Sequence, residues 1–145
     1  MMRKAVIIMV IAAMAIGGTI TTSCKKKTKD PTYPQLVGTW NGTSSQAIPI
    51  QVAVASNGGD LYVTSVTLKY SRGPGDTVSL HRYSSDGLSM LSGTSFYVVM
   101  DGTAPFQTVV QGTFRTDTLK LNGTFTGYTA EFLPVPGTYT AFRSK

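Results

Sequence analysis

Short runs in which every second residue is apolar, each closed by a turn rich in Gly, Asn, Asp or Pro, recur through most of the chain. Ile48, Ile50, Val52 and Val54 alternate with Pro49, Gln51, Ala53 and Ala55, the two-residue period of a strand with one buried face. Asn57-Gly58-Gly59-Asp60 follows, and Asn and Gly adopt the left-handed backbone of a tight turn at little cost. The next run, Leu61 to Tyr70, places Tyr62, Val66, Leu68 and Tyr70 on one side and stops at Arg72-Gly73-Pro74-Gly75-Asp76. Val78 to Tyr83, Phe96 to Met100, Phe106 to Phe114, the alternation Leu119, Leu121, Phe125, and Gly137 to Arg143 continue the series. No window beyond the first residues carries an amphipathic helix, and Thr and Ser crowd positions where helices favour Ala, Leu, Glu and Lys.

This pattern predicts an all-β domain of about eight or nine antiparallel strands. Such a chain limits its exposed edges by closing into a barrel or by splitting into two packed sheets. The succession of neighbouring hairpins points to a single up-and-down β-barrel, with a β-sandwich as the alternative. Gly followed by Thr and an aromatic recurs at Gly38-Thr39-Trp40, Gly112-Thr113-Phe114, Gly123-Thr124-Phe125 and Gly137-Thr138-Tyr139. Glycine lets a strand coil sharply or a neighbour approach closely, and the aromatic two residues later shares its face and can cover the gap.

The N-terminal part has a different composition. Met1 to Lys4 are basic at Arg3 and Lys4, and Ala5 to Ile16 are apolar without a break. That run is too short for a membrane span and suits the core of an export signal. Gly17, Gly18 and a Thr/Ser stretch lead to Cys24, the only cysteine. The layout resembles a bacterial lipoprotein signal, in which the cysteine becomes the lipidated first residue after cleavage. Lipidation, palmitate included, also accounts for a single thiol in an oxidising compartment. The chain is thus expected to divide into a signal peptide (1–23), a basic tether (24–34) and a barrel domain (35–145). The tether holds Lys25, Lys26, Lys27 and Lys29 with Pro31 and Pro34, a composition that buries no face.

The net charge of +6 resides mostly in the leader and tether. From Tyr33 onward seven basic residues meet six acidic ones, so the domain has no basic stripe to follow a phosphate backbone, and a nucleic-acid partner is not expected. Tether lysines can lie along anionic headgroups beside the anchor. In small Bacteroidetes-type lipoproteins, acidic residues after the cysteine accompany surface export; the basic tether here implies an outer membrane protein facing the periplasm.

Catalytic signatures are sparse. His81, the only histidine, sits in Val78-Ser79-Leu80-His81-Arg82-Tyr83, and no serine occupies a nucleophile elbow. Asp60, Asp76, Asp86, Asp101 and Asp117 stand at turns, where Asp accepts local backbone N–H bonds. Neither a zinc set nor a carboxylate pair emerges, and the expectation is a non-enzyme without metal or cofactor. Asp76-Thr77-Val78 and Asp117-Thr118-Leu119 look like the Asp-Thr-apolar acceptor of a Bacteroidetes O-glycosylation system, with Thr77 and Thr118 the modified residues.

Leu36-Val37-Gly38-Thr39-Trp40 opens the first strand and Arg143 lies in the last. This resembles the lipocalin-like domains of small bacterial lipoproteins. In that family the first-strand tryptophan closes one barrel end and a last-strand arginine packs over it. The resemblance assigns barrel closure to Gly38, Trp40 and Arg143. It implies a small apolar or amphipathic ligand within the barrel, held among Tyr62, Val66, Leu68, Tyr70, Phe96, Val98, Met100, Val110, Phe114, Leu121 and Phe125. The competing expectation is an envelope interaction module with a filled barrel, in which these residues are core and outer-face tyrosines such as Tyr33, Tyr83, Tyr97 and Tyr128 meet an envelope protein or glycan.

Overall fold

The computed structural model describes residues 32–145; the expected signal peptide, Cys24 and the tether as far as Pro31 lie outside them. A single 3-10 turn, Pro34–Leu36, precedes nine strands: β1 Gly38–Ser44, β2 Pro49–Asn57, β3 Asp60–Gly73, β4 Asp76–Tyr83, β5 Ser89–Met90, β6 Ser95–Asp101, β7 Thr108–Arg115, β8 Lys120–Tyr128 and β9 Pro134–Arg143. They form one antiparallel sheet in the order β4-β3-β2-β1-β9-β8-β7-β6, with β5 extending the β3 edge beyond β4. β1 to β4 and β6 to β9 pair consecutively as hairpins, and β1 joins β9 across the chain's ends, Trp40 opposite Arg143 and Ser44 opposite Tyr139. The sheet curls into a nearly closed up-and-down barrel, which removes the sandwich alternative. At the seam between β4 and β6, the Arg82 guanidinium donates to the Val99 carbonyl.

The alternation read from the sequence puts Ile50, Val52 and Val54 of β2 and Val110 and Phe114 of β7 inside. Leu121 and Phe125 of β8 and Tyr139 and Ala141 of β9 join them. The fold begins earlier than expected. Tyr33 packs against the core, and Leu36 is fully buried behind the 3-10 turn that Pro34 starts, so the end of the expected tether is folded protein. Phe106, expected to open a strand, lies in the loop before β7, and Leu119 has a positive φ of 47° in the turn before β8.

The recurring Gly-Thr-aromatic triplets interlock across strands. Gly123 faces Tyr139 and Phe125 faces Gly137 in the β8–β9 ladder. A Cβ on either glycine would run into the opposite ring. The cover over each of these glycines therefore comes from the neighbouring strand and not from the aromatic two residues along its own. Aromatic side chains leaning over a bare backbone in this way pin the strand register.

Candidate functional site

The expected lumen residues converge inside the barrel, with one exception. Val66, Leu68, Tyr70, Phe96, Val98, Met100, Val110, Phe114, Leu121 and Phe125 are all buried. Tyr62 is not on that face. A bulge shifts the β2–β3 register between Ala53 and Val54, so Leu61 and Val63 point inward and Tyr62 outward, beneath Gly87 of the β4–β5 connection. One extra residue in a strand reverses the side on which every earlier residue falls.

These side chains occupy the interior. Trp40 and Phe114 have ring centroids 4.8 Å apart, Phe96 and Phe114 5.6 Å, and Tyr70 and Phe125 6.0 Å, the spacings of packed aromatic pairs. Both ends are stopped. At one, Trp40 is 0% exposed and its indole N–H donates to the Leu36 carbonyl at 3.0 Å, so the 3-10 turn caps the ring. At the other, Tyr70 reaches across from β3 to β8, where its hydroxyl meets the Tyr128 backbone carbonyl and N–H, each at 3.3 Å. Five concavities among the described residues lie on the outer wall and rims.

The three residues assigned to closure meet at the capped end. Trp40 is buried, its cross-strand partner Arg143 is exposed, and the Arg143 guanidinium lies against Gly38, whose φ is 136°. A Cβ at Gly38 would stand 3.1 Å from Arg143 Nε.

His81 points outward from β4 and shares a 2.8 Å hydrogen bond with the Thr67 hydroxyl of the paired strand. The described residues contain no group of three or more His, Cys, Asp or Glu that could hold a metal ion. Asp76 and Asp117 form exposed ion pairs with Arg72 (3.0 Å) and Arg115 (2.7 Å), and the hydrogen bond from Arg115 holds the Asp117 carboxyl below its ordinary range. Thr77 and Thr118 are both exposed, at the start of β4 and in the β7–β8 turn. Cys24 lies outside the described residues.

Sequence reasoning missed an aromatic cluster outside the barrel. The β6–β7 loop supplies Phe106 and the β8–β9 loop supplies Phe132. Their rings sit 4.7 Å apart, and Phe106 meets Tyr128 edge-on at 5.7 Å. Phe132 is 59% exposed and Leu133 61%. Beside the cluster runs a concavity of about 320 Å³ on the outer wall of β6, β7 and β8, between Tyr97 and Tyr128. Three apolar residues in two proline-flanked segments, Pro105-Phe106 and Phe132-Leu133-Pro134, were the available signal, since loop aromatics have no strand face to explain them. No family model, curated protein or solved structure matches the chain.

Proposed function

We propose that this protein is a non-enzymatic, lipid-anchored interaction module of the bacterial cell envelope, a lipocalin-like barrel that works through its outer wall. The anchor is the acylated Cys24, and the barrel faces the periplasm from the outer membrane. The observation that carries this reading is the contrast between a barrel interior filled by aromatic and branched side chains and an exterior that leaves Phe106, Phe132, Leu133 and Tyr97 exposed. An eight-stranded barrel either fills its centre with side chains or holds one small molecule there. Rings of Trp40, Phe114, Phe96, Tyr70 and Phe125 take up that space, which favours the filled barrel over a lumen ligand. Clustered exposed aromatics are the surface feature that marks docking.

Native mass spectrometry of the full chain extracted in mild detergent tests the first half. The expected mass is that of the acylated chain with no further small molecule, and a stoichiometric co-purifying ligand would return the lumen to the centre of the function. A photo-cross-linking residue at Phe132 tests the second half in intact cells. It should capture an envelope component that the same residue placed at Thr77, on a different part of the wall, does not. Cys24→Ser should move the protein from the membrane fraction to the soluble one; unchanged pelleting would remove the anchor.

A further inference from the structure

Building on that docking reading, we propose that the trough between Tyr97 and Tyr128 on the outer wall binds a neutral glycan chain. The ladder fixes its layout. Tyr97, Gln111 and Thr124 stand in one row across β6, β7 and β8, and Val99, Val109 and Thr126 form the next. Tyr97 rises at the β6 side, 52% exposed. At the other side Tyr128 is held in place, its hydroxyl donating to the Pro105 carbonyl at 3.3 Å and its ring braced edge-on by Phe106. Between the two rings lie the amides of Gln107 and Gln111, the hydroxyls of Thr124 and Thr126, and the apolar patch of Val109.

Each component matches one part of a sugar. The aromatic face is electron-rich and attracts the C–H face of a pyranose ring. Amides and hydroxyls both donate and accept, as the alternating hydroxyls of a glycan require. Gln111 Nε2 already donates to Thr124 Oγ1 at 3.0 Å, which orients the amide and leaves its carbonyl oxygen and second N–H toward solvent. No charged side chain lines the trough, so nothing in it would repay the desolvation of a phosphate or carboxylate. An apolar ligand would strand the same amides and hydroxyls without partners. A peptide adding a strand needs an unpaired edge; β7 and β8 are paired on both sides, and the end strand β6 turns its open edge to β4 at the seam, where Arg82 meets the Val99 carbonyl, and not into the trough. The volume of about 320 Å³ is at the small end of ligand clefts, room for a short stretch of a chain that continues beyond it.

Affinity electrophoresis of the full chain in gels containing laminarin, dextran, galactomannan or xylan tests the proposal, with the anionic polysaccharide alginate in parallel. At least one neutral polysaccharide should retard the protein. Tyr97→Ala and Gln111→Leu, both at exposed positions, should each raise the apparent Kd tenfold or more while the chain still melts cooperatively, and Tyr97→Phe should retain binding. Retardation by none of the four, retardation by alginate alone, or binding unaffected by both variants would overturn it. If cross-linking from Phe132 persists while all four polysaccharides fail, the glycan proposal falls and the docking reading stands.

Discussion

Tyr139 on β9 stands directly opposite Gly123 on β8, and its phenol reaches past that glycine to donate to the Gln111 carbonyl on β7 at 3.0 Å. One side chain thus spans three strands. It can do so because Gly123 is itself paired with Gly112, leaving two adjacent positions without a Cβ beneath the ring. Gln111 also belongs to the outer trough, so the same residue joins the packed interior through its backbone and the candidate site through its amide.

Gly123→Ala is expected to destabilise the fold by about 1–3 kcal/mol, the range for forcing atoms into a filled core. A Cβ there would meet both the Tyr139 ring and the Gln111 carbonyl. Gly137→Ala should behave alike against Phe125. Equilibrium urea unfolding measures both, and a loss below a few tenths of a kcal/mol would mean that the rings do not rest on the glycine backbone.

Much of this architecture is legible in the sequence because a strand's period is two and each run is short enough to keep it. The reading fails where a local irregularity changes the count. Tyr62 is assigned inward from the parity of Val66, Leu68 and Tyr70, but the β2–β3 bulge inserts a residue between them, and no composition marks it. Phe106 extends the apolar run of β7 on paper, yet it leaves the sheet to stack on Phe132. Barrel closure rests on the β1–β9 pairing of residues far apart in sequence, about which local alternation says nothing. The trough is invisible for the same reason, being made by register across three strands and by two loops.

Burial pushes the Tyr139 phenol above its ordinary range. Its folded pKa thus exceeds its unfolded value of about 10. The stabilisation is fully present below about pH 10 and is lost as pH rises through the folded pKa, because the unfolded chain then gains by ionising. Wild type should therefore lose stability between about pH 10 and 12 by up to about 1.4 kcal/mol per pH unit more than Tyr139→Phe does. Urea midpoints of the two proteins across that range provide the comparison. Parallel slopes would show that the phenol ionises as readily folded as unfolded. At neutral pH the same substitution should cost about 1 kcal/mol, through the lost bond to Gln111.

Trp40→Ala should cost about 3–5 kcal/mol, as deletion of a fully buried aromatic does. Arg143→Ala should cost less, through the packing of its stem and guanidinium against Gly38. Direct cross-strand partners share surroundings, so the double mutant is expected to show a coupling of roughly 0.5 kcal/mol or more. Strict additivity in a denaturant cycle would mean that the arginine supports Gly38 independently of the indole.

The 3-10 turn makes a clear boundary prediction. A soluble chain beginning at Thr32 should melt like one beginning at Lys25, because residues 25–31 hold four lysines, Thr28, Asp30 and Pro31 and offer no apolar face to bury. A chain beginning at Val37 loses a fully buried leucine and the carbonyl that accepts the Trp40 indole N–H. Leu36→Ala alone should cost about 2–5 kcal/mol, and the Val37 chain at least as much. Thermal melts that agree for all three chains would show that the turn does not seal the barrel.

The seam should be the first part of the wall to open. β1 and β9 are hydrogen-bonded on both sides, whereas β4 and β6 are the two ends of the ladder, joined at Arg82 and the Val99 carbonyl. Amides that depend on few neighbours open with free energies well below global unfolding. Hydrogen exchange is therefore expected to be faster in Asp76–Tyr83 and Ser95–Asp101 than in Gly38–Ser44. Arg82→Ala removes one hydrogen bond of about 0.5–1.5 kcal/mol, so exchange across β4 and β6 should quicken roughly two- to tenfold while β1 and β9 are unchanged. Equal acceleration in all strands would instead mean that the barrel opens only as a whole, with the seam as firm as the laddered wall.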